Sequence, residues 1–204
     1  AKKPIFYTGG GVINAGPEAS KALTELVQKT GYPITSTLMG LGSYPADDKQ
    51  WLGMLGMHGT YEANWAMHDC DVMICIGARF DDRVTGDTKK FSPGSKKIHI
   101  DIDPSSINKN IMVDLPIIGD AGKAIQAMLD VWTEKNHQPN QDALDSWWNR
   151  IEKWRSIDCL KYNKDTDVIK PQYALERLRH HLEKDHRDSF ITTEVGQHQM
   201  WAAQ

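Results

Sequence analysis

Two arginines and two aspartates crowd the segment Gly77-Ala78-Arg79-Phe80-Asp81-Asp82-Arg83, directly after the apolar run Val72–Ile76. A guanidinium presents a planar fork of donors that matches a phosphate or a carboxylate, so this segment reads as an anion-recognition loop. Its plainer alternative is a self-neutralising surface loop; a position at the end of a fully apolar strand favours the first reading. Asp81 and Asp82 do not make an acid–base pair, because adjacent loop residues rarely face one another. A second apolar run ends in His99-Ile100-Asp101-Ile102-Asp103-Pro104. A carboxylate at a strand end can accept ribose hydroxyls, whereas Asp103 ahead of Pro104 fits a helix cap and first turn. Asp101 is therefore assigned to a ligand and Asp103 to the cap. Gly119-Asp120-Ala121 repeats the pattern, with capping the local preference for Asp120.

Residues 9–16 read GGGVINAG. Gly9, Gly10 and Gly11 let backbone approach a ligand, and a helix start after them offers N–H groups to an anion. The dinucleotide fingerprint GxGxxG is not met, since Asn14 stands where its third glycine belongs. Both ligand contact and a purely steric need for glycine stay open. Leu55-Gly56-Met57-His58-Gly59 sets a histidine in a glycine-flanked loop before a helical stretch. Metal ligation is disfavoured there, because only Glu62 follows at helical spacing. No GxSxG elbow, HExxH, P-loop or Cys/His nucleophile pattern occurs. Arg177, Arg179, His180, His181 and His186 read as one solvated helix face.

The elements that must position these groups follow from periodicity. Short apolar runs at 5–7, 34–37, 72–76, 98–102 and 113–118 each end in glycine or acid. Between them, Ala19, Ala22, Leu23, Leu26 and Val27, and later Ala124, Ile125, Met128, Leu129 and Trp132, recur at helical spacing. Strands alternating with helices predict an α/β fold, a parallel sheet with helices on both faces, and place ligands at the C-terminal strand ends. The polar stretch 133–142 predicts the end of the first domain at about residue 135. Leu144, Trp147, Ile151, Trp154, Ile157 and Leu160 then predict a long amphipathic helix in a linking region, 136–170. Pro171 opens another helix, followed by a strand at 189–193 and the first turns of a helix. A strand and helix without the rest of their sheet predict a fragment, cut within a second domain spanning 171–204. The missing initial methionine and abrupt first strand predict a cut at the other end as well.

Of the 204 residues, 40% are hydrophobic and 25% charged, which fits a globular protein and argues against disorder. Lys and Arg number 24 against 27 Asp and Glu, a formal charge of −3, so nothing favours a nucleic acid partner. Three cysteines without a CxxC pair fit a reducing cytoplasm and no zinc site. No stretch nears the roughly 18 to 20 apolar residues of a membrane span, and residues 1–8 lack a signal peptide's apolar core.

Taken together, LGMHG, GARFDDRVTG, HIDIDP, IIGDA and VGQHQMWAA, in this order, closely resemble the thiamine-diphosphate-dependent acetohydroxyacid synthases over the whole chain. The resemblance implies a central FAD-binding domain of the DHS-like type, then connecting helices and the first strand of a pyrophosphate-binding domain. It implies FAD contacts at Gly9, Gly10, Gly11, Thr37, Leu38, Gly56, Met57, His58, Gly77, Ala78, Arg79, Asp81, Arg83, Asp101, Ile102, Gly119 and Asp120. Arg83 is implied also to hold the carboxylate of the second 2-keto acid. Val195, Gly196, Gln197 and His198 resemble the segment that meets the diphosphate of thiamine diphosphate. The family condenses pyruvate with pyruvate or 2-oxobutanoate for branched-chain amino acid synthesis, without net redox at FAD. It also implies magnesium, a homo-oligomer and a small regulatory subunit. The activating glutamate and the magnesium motif are expected outside these residues, so the segment holds no catalytic or metal residue and is expected to be inactive alone. Glyoxylate carboligase, a pyruvate oxidase, or a non-catalytic nucleotide-binding module are the alternatives.

Overall fold

The apolar runs become parallel strands in a computed structural model that describes residues 1–185 and 189–204. They are β1 (Pro4–Thr8), β2 (Ile34–Ser36), β3 (Trp51–Met54), β4 (Val72–Ile76), β5 (Lys96–Asp101) and β6 (Leu115–Ile118). All pair in parallel, in the order β3-β2-β1-β4-β5-β6. The chain steps outward from β1 to β3, then restarts on the other side of β1 with β4. That reversal falls at the C-terminal ends of β1 and β4, the position where open parallel sheets receive ligands.

The strands are apolar on both sides because both sides are covered. On one face Phe6, Ile34, Ile76 and Ile100 pack with α2 (Pro17–Thr30) and α5 (Ala121–Glu134), and α1 (Gly10–Asn14) adds Val12. On the other, Ile5, Tyr7, Met73 and Cys75 pack with α3 (Tyr61–Asp69) and α6 (Gln141–Arg155). A one-turn helix, α4 (Asp82–Thr85), follows β4. Glycine in the left-handed region closes α2 at Gly31, φ 70°. Thr60, Asp120 and Asn140 cap α3, α5 and α6 with side-chain oxygens.

The chain divides into two compact units, Ala1–Ile157 and Asp158–Gln204. The first reaches past residue 135, because Leu144, Trp147 and Ile151 of α6 are buried in the core that covers β1 and β4. The second holds α7 (Pro171–Asp185) and α8 (Gln197–Ala203). Within it, Glu176 accepts hydrogen bonds from the Tyr162 hydroxyl (2.8 Å) and from Lys164 Nζ (3.1 Å).

Several sequence expectations need correction. β3 was not expected; its run is four residues with Gly53 at φ 86°, too short and too interrupted to register as a strand. The glycine loop at 9–16 contains the helical turn α1. The stripe through Ile157 and Leu160 stops being helical at Arg155, shortly before Asp158, where the second unit begins. The strand expected at 189–193 is irregular backbone; among the described residues no strand lies beside it to share hydrogen bonds. His186 lies outside the described residues.

Candidate functional site

Every strand of the sheet ends in one of the segments singled out from sequence. Across the sheet, the order is Gly56, Met57 and His58 after β3, and Thr37 and Leu38 after β2. Gly9, Gly10 and Gly11 follow β1, and Gly77 through Arg83 follow β4. Asp101 ends β5 with Ile102 beyond it, and Gly119 and Asp120 follow β6.

Backbone contacts join these ends into one rim. Thr37 N–H donates to Thr8 C=O at 2.9 Å, and Gly11 N–H to Gly77 C=O at 3.0 Å. Met57 N–H donates to Arg83 C=O at 2.9 Å, and Gly119 N–H to Asp101 C=O at 3.0 Å. The glycines of the rim serve this closeness. A Cβ on Gly11 would stand 2.6 Å from Gly77 Cα, and Gly77 itself sits at φ 63°. On Gly56, at φ 94°, it would stand 2.7 Å from Arg83 C=O. Gly119 differs, with open space where a side chain would begin.

The rim's chemistry is mixed. Arg79 pairs with Asp81 at 2.8 Å. Arg83 is exposed, and among the described residues its guanidinium makes no ion pair or hydrogen bond, which leaves its fork for an anion. Asp120 Oδ1 accepts from Lys123 N–H and caps α5, while Asp103 accepts from Ser105 and caps a single 3-10 turn. Those Ser105 bonds hold the Asp103 carboxyl below its ordinary range. Asp101 is nearly buried, and its Oδ1 accepts from Asp103 N–H at 2.9 Å. Between the polar groups stand exposed apolar side chains, Leu38, Met39 (73% exposed), Met57 (63%) and Ile102 (69%). Apolar side chains left this open along one edge mark a surface that something covers.

Beneath the arginine loop lies a row that the sequence reading missed. Tyr7, Cys75 and His99 stand opposite one another in register on β1, β4 and β5. All three are fully buried. His99 Nε2 lies 2.8 Å from Ala78 C=O, and Cys75 Sγ donates to the same oxygen at 3.2 Å. Phe80, at φ 55°, turns its ring into this row, 5.0 Å from His99 and 5.6 Å from Tyr7. Asn110 Nδ2 donates to Phe80 C=O. Burial pushes the Cys75 thiol and Tyr7 phenol well above their ordinary values, and pushes His99 below its own. The available signal was the alternation of Lys97, His99 and Asp101 along β5, a polar residue at every second position.

Residues 1–128 match the family model described as the thiamine pyrophosphate enzyme central domain. The chain belongs to this family. Among curated proteins the chain is 48% identical over 204 residues to the acetolactate synthase isozyme 3 large subunit of Escherichia coli (strain K12). Over 203 residues it is 48% identical to the acetolactate synthase large subunit of Haemophilus influenzae, and over 204 residues 40% identical to that of Porphyra purpurea. Each match takes in the whole chain but only 34%, 34% and 33% of the relative, so the chain spans about a third of their length.

Val195, Gly196, Gln197 and His198 lie in the second unit, where Gly196 precedes the seven-residue α8 and Val195 is exposed. No helix among the described residues is long and apolar enough to cross a membrane. Nor does any group of three or more His, Cys, Asp or Glu among them form a metal-holding cluster.

Proposed function

We propose that this chain is the flavin-carrying central part of an acetolactate synthase large catalytic subunit, which joins pyruvate to pyruvate or 2-oxobutanoate. Support comes from whole-chain likeness to proteins of that name. The observation that carries the flavin is the rim itself: exposed apolar side chains and arginines gathered along the edge where all six strands end. FAD needs that mixture, since its two ring systems need apolar cover and its diphosphate needs N–H and guanidinium donors. Leu38, Met39, Met57 and Ile102 would cover ring faces. Arg79, Gly10 and the uncapped start of α1 would meet polar parts. Asp101 and Asp120 are tied to their own backbones and would shape the rim more than bind through free carboxylates.

Thiamine diphosphate, anchored through magnesium, would supply the electron sink for decarboxylation of the 2-keto acid. Arg83, with its fork unpaired among the described residues, would hold the acceptor's carboxylate. Residues 195–198 would face the diphosphate of thiamine diphosphate. Pathway, cytoplasmic setting, homo-oligomer and regulatory small subunit follow as parts of the same proposal.

The test is a chimera in which this segment replaces the matching third of the Escherichia coli relative. It should form acetolactate from pyruvate without an added electron acceptor, whereas the 204-residue chain alone should form none. Arg83→Ala in the chimera should raise the apparent KM for the acceptor at least tenfold, the size expected for losing a charge-assisted bidentate contact. A requirement for an electron acceptor, or an unchanged KM, would count against the proposal.

A further inference from the structure

We propose that His99 is a positioning residue for the arginine loop at 78–83: its neutral imidazole, through Nε2–H to Ala78 C=O and ring contact with Phe80, sets where Arg79 and Arg83 stand.

The loop cannot hold its shape by local interactions alone. Phe80 occupies the left-handed region at φ 55°, which is unfavourable for a bulky aromatic residue unless its surroundings enforce it. Four groups do so. The ring is buried edge-on against Tyr7, Phe91 and His99. Two residues before it, the Ala78 carbonyl accepts from Cys75 and faces His99 Nε2. Its own carbonyl accepts from Asn110. Beyond it, Val84 and Thr85 N–H both donate to Asp81 C=O, so the turn that carries Arg83 starts from the geometry set at Phe80.

Of these holds, His99 carries a specific requirement. Ala78 C=O can only accept, so Nε2 must carry the hydrogen, and the neutral ring then leaves Nδ1 as an acceptor. Nδ1 is buried with no hydrogen-bond partner. A second proton would fall on Nδ1, placing an unpaired N–H and a charge inside a fully buried row. The titratable and charged groups around the ring are Tyr7 on β1, Cys75 on β4, Asp101 on β5 with Oδ2 3.8 Å from Nε2, and the exposed Arg79–Asp81 pair on the loop. The Asp101 charge favours a protonated ring, but burial outweighs it, and Asp101 lies toward Nε2, so Nδ1 still lacks an acceptor. Burial lowers the His99 pKa from the ordinary 6.5, in line with a ring kept neutral.

Hydrogen exchange in the 204-residue chain reads this without reference to any ligand. His99→Phe keeps a ring and removes the donor. It should speed exchange of the Val84, Thr85 and Gly86 amides about tenfold while the β1 amides keep their protection. His99→Gln restores an N–H donor and should return exchange to within about threefold of wild type. After correction for intrinsic exchange chemistry, the wild-type loop should loosen as pH falls below about 6.5 and the Gln variant should not. Should His99→Phe fail to fold, the Gln variant and the pH profile decide alone. Unchanged loop exchange in His99→Phe, or the same pH response in wild type and Gln variant, would overturn the inference. A second arm rests on the flavin proposal: FAD affinity should fall about tenfold in His99→Phe and recover in His99→Gln. If wild type binds no FAD, that proposal fails while the exchange result still judges His99; if FAD binds His99→Phe as well as wild type, the inference fails.

Discussion

Gly11 and Gly77 meet backbone to backbone at the centre of the rim, and the space between them admits no side chain. Gly11→Ala should therefore destabilise the sheet unit by about 1 to 3 kcal/mol, as overpacked sites do. Gly119→Ala, which meets only open space, should stay within about 0.5 kcal/mol. Urea unfolding of the two variants separates a glycine kept for packing from one that leaves room above the chain. GGGVINAG and IIGDA could not make this distinction, because both kinds of glycine look identical in sequence. Protonation gives a second test at this scale. Burial lowers the folded pKa of His99 below its unfolded value, so the unfolded chain takes up the proton first as the solution is acidified. The His99 contribution is neutral above about pH 6.5. Stability should drop as pH falls through that value and level off below the depressed folded pKa. Urea midpoints between pH 7.5 and 5 should show this drop in wild type, and His99→Gln should lack that component.

Helix α6 decides where the sheet unit ends. Trp147 is fully buried and its Nε1–H donates to Pro4 C=O at 3.0 Å, tying the helix to the first strand. Trp147→Ala should cost about 3 to 5 kcal/mol, measurable by chemical unfolding. A chain ending after residue 135 would uncover the apolar face of β1 and β4, and should aggregate or lose cooperative unfolding. One ending after Ile157 should keep both. Five of six strands were legible because each is an apolar run ending in glycine or acid, and the parallel arrangement followed from the helices between them. Two features were hidden by their chemistry. β3 carries a glycine in four residues and pairs with β2 across an irregular register, so no alternation survives to be read. The stripe of α6 was visible, but a stripe says that a helix packs, not on which sheet it packs.

Across the molecule, the sequence placed the candidate binding residues at strand ends, and the topology puts those ends along one edge in the order β3 to β6. Periodicity alone could not supply that spatial order, which arises from long-range pairing, nor the buried row that supports the arginine loop. The rim combines apolar cover, backbone donors and an arginine with no partner among the described residues, the set of groups an extended flavin nucleotide requires. The most direct test is a titration of FAD into the 15N-labelled 204-residue chain. Saturable shifts should appear at the amides of Gly10, Met39, Met57, Arg83, Ile102 and Gly119, together with a change in flavin fluorescence. Absence of saturable binding at millimolar FAD, or shifts gathered at the opposite ends of the strands, would contradict it.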